Sequence, residues 1–81
     1  MRHKLILPDL GLPHVTVSVW LVDRGAKIAA GERIVEVLSD GVTVDLPAPV
    51  SGVLIKQLVS EDDPIVIGQV LAWIEDEPKA E

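Results

Sequence analysis

Few residues of this chain are able to do chemistry: two histidines, four serines, four lysines and, ahead of the charged tail, one run of three carboxylates. His3 and His14 are eleven apart and have no cysteine to complete a soft metal site, so the sequence predicts surface histidines and no metal. Glu61-Asp62-Asp63 would attract a hard cation only as part of a loop supplying about six oxygens. Three consecutive acids before Pro64 read instead as a solvated turn. Ser18, Ser39, Ser51 and Ser60 have no histidine at elbow or triad spacing, and no Gly-x-Ser-x-Gly occurs. No catalytic residue is expected, and the chain by itself is not expected to be an enzyme. Trp20 and Trp73, the only aromatics, are expected to be partly buried at a sheet edge.

The bulk composition narrows the class further. Eighty-one residues make one domain near the lower size for a self-sufficient core. Apolar residues, mostly Val, Ile and Leu, make up 48% of it, which favours many short strands. A net charge of −6 repels phosphate backbones and anionic lipid alike, so neither nucleic acid nor membrane is an expected partner. No apolar run approaches the roughly 18 residues of a spanning helix, and Pro8 and Asp9 interrupt the first one too soon for a signal peptide. A cytoplasmic monomer is expected, and the absence of cysteine fits a reducing compartment.

The elements that must position any site are strands. Runs at Lys4–Leu7, Val15–Val22, Ile34–Leu38, Val42–Leu46, Val53–Val59 and Val70–Ile74 are separated by Gly and Pro at short spacing, the rhythm of a sandwich or barrel. Val15, Val17 and Val19 alternate with Thr16, Ser18 and Trp20, as a half-buried strand requires. Asp40-Gly41 between the third and fourth runs is a signal for a two-residue hairpin of type I′, which needs positive φ at both central residues.

Adding 37 to a position in the first half repeatedly lands on a similar residue in the second: Leu21 on Leu58, Val22 on Val59, Ile28 on Ile65, Gly31 on Gly68, Ile34 on Leu71 and Val37 on Ile74. Each half then reads as a strand, a long turn closed by glycine, and a strand. Two such units facing each other make an all-β, two-fold pseudosymmetric sandwich, with Ile28 and Ile65 plugging the core from their turns. The domain is expected to span residues 1–75, with residues 76–81 a charged tail or the start of a linker.

Several segments in this order resemble the lipoyl domains of 2-oxo acid dehydrogenase acyltransferase components: Leu7-Pro8-Asp9-Leu10-Gly11, Trp20-Leu21-Val22, the Gly25 to Gly31 turn, Pro47-Ala48-Pro49-Val50-Ser51-Gly52 and Gly68-Gln69-Val70-Leu71. The resemblance runs from about Lys4 to Ile74. It implies a flattened barrel of two four-stranded antiparallel sheets, in agreement with the repeat. It also implies that the hairpin between the halves is the attachment site, where the family carries Asp-Lys-Ala and the lysine takes lipoate as an amide. Here that place reads Ser39-Asp40-Gly41-Val42, without an amine. The Met-Lys-Met of biotinyl relatives is absent too, and so is the long helical insertion of efflux-pump adaptor relatives. Of the four lysines, Lys4 and Lys56 fall in expected strands and Lys79 in the tail. Only Lys27 falls in an expected turn, without the flanking aspartate of an attachment hairpin.

The expected function is therefore a non-enzymatic lipoyl-like domain that cannot be lipoylated at its vacated hairpin, Asp40, Gly41 and Val42, and that serves protein interaction or a structural role. No cofactor is expected. The implied partner is a protein, with a 2-oxo acid dehydrogenase component the first candidate, docked on the acidic surface. The alternative is a carrier domain of such a complex seen without its attachment lysine. A non-covalent small-molecule binder ranks last, since so small a core leaves little room for a pocket of roughly 300 Å³.

Overall fold

The computed structural model describes residues 1–76, and the rest of the expected tail, residues 77–81, lies outside them. Eight strands follow in order: β1 (Arg2–Ile6), β2 (Val15–Trp20), β3 (Lys27–Ile28), β4 (Arg33–Ser39), β5 (Val42–Pro47), β6 (Gly52–Gln57), β7 (Pro64–Ile65) and β8 (Val70–Asp76). They form two four-stranded sheets, β1-β8-β6-β3 and β5-β4-β2-β7, with every pairing antiparallel. No helix long and apolar enough to cross a membrane occurs among the described residues.

The 37-residue repeat is realised strand for strand. β2, β3 and β4 shifted by 37 give the bounds of β6, β7 and β8. The turns repeat as well: Gly25 N donates to Leu54 O and Asp62 N to Val17 O, while Leu21 N donates to Ile34 O and Leu58 N to Leu71 O. Even the side chains that close the two long turns match. Ala29 N donates to Glu32 Oε1, and Val66 N donates to Gln69 Oε1, both at 3.0 Å. The halves are interleaved, each sheet taking two strands from either half. Crossing over in this way lets both halves contribute to both walls of one core.

That core contains Val17, Ile34, Val35, Leu54, Leu71 and Ile74, all fully buried, with Ile28 and Ile65 at 3% and 4% exposure as the expected plugs. Gly25 and Gly31, which bound the first long turn, have φ of 92° and 86°, a conformation glycine adopts freely. β3 and β7 were not visible as strands, because two residues cannot display a period. Lys27, expected in a turn, is accordingly a strand residue paired opposite Val53. Asp76, assigned to the tail, is the last residue of β8, where its N–H donates to Met1 O. The tryptophans are half-buried but not at sheet edges: Trp20 on β2 and Trp73 on β8 both lie on interior strands.

Candidate functional site

The hairpin between β4 and β5 is built as its sequence requires. Ser39 and Val42 are its last paired residues, and between them Asp40 has φ 46° and Gly41 φ 80°, the two left-handed residues of a type I′ turn. A Cβ at Gly41 would meet nothing within 4 Å, so a side chain there has open space and bears only the strain of the positive φ. Val42, the third residue of the site, is exposed.

What holds the tip was not legible in the sequence. Among the described residues Ser39 is the one buried polar residue, at 2% exposure, and its Oγ donates to the carbonyl of Pro13. On the neighbouring strand Thr16 Oγ1 donates to Leu38 O at 3.4 Å. The β1–β2 loop is thereby fastened against the base of the hairpin. Asp9 Oδ1 accepts from Gly11 N at 2.9 Å within that loop, and His14 adopts a φ of 50° before β2 starts. A hydroxyl two residues before the glycine was the only sequence signal for this anchor.

The remaining candidates are scattered and serve the fold. Among the described residues no three His, Asp or Glu side chains converge as a metal site. His3 Nε2 lies 3.2 Å from Asp76 Oδ2, far along the chain from His14. In the acidic turn Asp63 Oδ2 accepts from Ser60 N at 2.8 Å and Asp62 takes a φ of 71°, so the run shapes a turn. Ser18 Oγ donates to Glu36 Oε2, and Ser51 Oγ accepts from Ala30 N. So small a core was expected to leave little room for a pocket of roughly 300 Å³, but the surface carries one. An open groove of about 380 Å³ runs between the β1–β2 loop and the turn after β7, with Leu10, Leu12, Val66 and Ile67 on its walls.

An all-β body of two pseudosymmetric sheets with an exposed two-residue hairpin between its halves is the architecture of biotinyl and lipoyl domains. The chain belongs to the biotin/lipoyl family, whose description is "Biotin-requiring enzyme" and whose match covers residues 3–74. It is 35% identical over 78 residues to the dihydrolipoyllysine-residue acetyltransferase component of the pyruvate dehydrogenase complex of Corynebacterium glutamicum, covering 94% of this chain and 12% of that protein. It is 32% identical over 77 residues to the succinyltransferase component of the 2-oxoglutarate dehydrogenase complex of Bartonella vinsonii, covering 93% of this chain and 19% of the relative. The chain thus spans less than a fifth of these relatives. In fold it is similar to the lipoyl domain of the 2-oxoglutarate dehydrogenase complex from Azotobacter vinelandii, with a TM-score of 0.71 at 22% identity over 96% of this chain and 99% of that one. It is also similar to part of a single-chain, multi-domain long-chain acyl-CoA carboxylase, with a TM-score of 0.80 at 22% identity over 98% of this chain and 7% of that one.

Proposed function

We propose that this chain is a lipoyl-type domain that carries no lipoyl group and acts through protein contacts instead of acyl transfer. One observation carries the reading: the tip of the β4–β5 hairpin is Asp40-Gly41, complete in geometry and without an amine. Amide attachment needs a primary amine, and Gly41 has no side chain to bear one. The hairpin is nonetheless held in place, with Ser39 Oγ donating to Pro13 O at its base, so in this reading the chemistry is missing and the display of the tip is not. In this reading the chain binds no cofactor, catalyses nothing by itself, works as a cytoplasmic monomer and meets a protein partner. The first candidate is a component of a 2-oxo acid dehydrogenase complex, since the relatives are named as components of such complexes.

A second reading is favoured by the small share of the relatives that the chain spans: a carrier domain cut from a longer acyltransferase, with its attachment lysine missing. An acyltransferase region following Glu81 in the parent gene would favour it.

Intact-mass spectrometry after co-expression with a lipoyl ligase and free lipoate tests the proposal. The chain is expected to keep its unmodified mass, while Gly41→Lys gains lipoyl mass. A lipoyl adduct on the unaltered chain would overturn the reading and place attachment on Lys27 or another lysine.

A further inference from the structure

The two sheets share a backbone plan but differ in the charge of their outer rows. Residues directly paired across neighbouring strands share a face. Lys4, Trp73 and Lys56 therefore form one outward row across β1, β8 and β6. Arg2, Glu75, Val53 and Lys27 form the next row, which extends to β3. Four of the seven cations of the chain stand on this face, all exposed. Glu75 is the one carboxylate in the two rows, and it is engaged by the Met1 amine at 3.0 Å and by Arg2 at 4.0 Å. Lys4 Nζ lies 5.7 Å from the centroid of the Trp73 ring.

The pseudosymmetric row on the other sheet reads differently. Trp73 is replaced by Glu36, Lys4 by Asp45, which Arg33 engages at 3.7 Å, and Lys56 by Val19, in the same register. A fold that needs only apolar inner faces does not require this difference, and in a chain of net charge −6 random placement of cations does not favour it. Trp73 contributes little to the core, being half-buried on an outward row and absent from the core cluster that Trp20 packs against. A large aromatic left on a sheet surface between cations has the composition of an interface anchor.

We propose that the outer face of the β1-β8-β6-β3 sheet docks an acidic protein segment, with an apolar side chain of that segment covering Trp73. Neighbouring strands lie about 4.8 Å apart, so the backbone positions of Lys4 and Lys56 are about 10 Å apart with Trp73 between them. An extended segment of the pattern acid-x-apolar-x-acid points its first, third and fifth side chains to one side over about 13 Å, within reach of two flexible lysine stems. A polyanion longer than the patch would run onto the acidic remainder of the surface, which disfavours nucleic acid. This surface is separate from the hairpin, and its occupation does not depend on what Gly41 does.

Titration of the 15N-labelled 81-residue chain with the capped peptide Glu-Ser-Leu-Ser-Glu, and with its Gln-Ser-Leu-Ser-Gln twin, tests it by NMR. The acidic peptide is expected to give saturable shifts at Lys4, Lys56 and the Trp73 indole N–H that fade with added salt, and the twin to give none. Lys4→Glu/Lys56→Glu is expected to weaken binding at least about tenfold with an unchanged melting temperature. Glu36→Lys and Gly41→Lys are expected to change it less than about twofold. Equal shifts from both peptides, shifts centred on the other sheet, or no saturation by about 10 mM peptide would each overturn the proposal. Tighter binding of an oligothymidylate to the same rows would overturn it in favour of nucleic acid.

Discussion

Trp20 and Gln57 occupy the same place in the two halves, 37 residues apart, and each sends a side-chain N–H across the molecule to the other half's turn. Trp20 Nε1 donates to Val59 O at 3.0 Å, and Gln57 Nε2 donates to Val22 O at 3.1 Å, carbonyls that are themselves related by the repeat. An indole and a carboxamide thus do one job by different means. Each bond is part-buried and worth about 0.5–1.5 kcal/mol. Gln57→Met is expected to destabilise by that amount in urea denaturation, and the loss should add to that of Trp20→Phe because the bonds share no partner. A non-additive double variant would show that the two turns are coupled.

Ile28 and Ile65 are related in the same way, each the buried residue of a two-residue edge strand. Ile28→Ala and Ile65→Ala should each cost about 2–4 kcal/mol, since neither short strand can collapse far into the space left. A denaturation midpoint unchanged in either variant would show that the plug is dispensable in that half.

Two glycines that look alike in sequence should respond differently to substitution. At Gly41 the surroundings are open and only the φ of 80° opposes a side chain, so Gly41→Lys should cost about 1 kcal/mol or less. At Gly52 a Cβ would stand 2.0 Å from Glu75 O and 2.8 Å from Asp76 Cα, both backbone atoms of β8. Gly52→Ala must push β6 away from β8 and is expected to cost about 3 kcal/mol or more, read as a lowered thermal midpoint.

Acid stability should depend on Asp76. Hydrogen bonds from the Met1 amine, and next from His3, hold its carboxyl below the ordinary value of 3.8. Because the folded value is the lower one, its contribution is present above 3.8 and is lost as the pH falls through the folded value. Asp76→Asn is therefore expected to be less stable than the unaltered chain at neutral pH and to converge with it in strong acid. Urea midpoints measured through the acid range check this, and parallel curves would disprove the linkage.

The repeat made much of this architecture legible, because Ile28, Gly31, Ile34 and Val37 each leave a similar residue 37 positions on. The hairpin was legible for a local reason, since Asp40-Gly41 carries its own backbone preference. What stayed hidden depends on register. The equivalence of Trp20 and Gln57 cannot be seen from residue type, and the Lys4, Trp73, Lys56 row appears only when three strands distant in sequence are laid side by side. The Ser39 anchor was hidden for the same reason, its acceptor Pro13 lying 26 residues away.

The pairing of Met1 with Asp76 gives the fold one more property. It stands where Val42 pairs with Ser39 in the other half, so the open end of the β1–β8 pair is the counterpart of the two-residue tip Asp40-Gly41. A circular permutant that joins Asp76 to Met1 through Asp-Gly and opens the chain between Asp40 and Gly41 would exchange the roles of the two ends while keeping every strand pairing. The connected loop would then stand beside the cationic face and the free ends beside the sheet that carries Glu36 and Asp45, with the backbone shape of both halves kept.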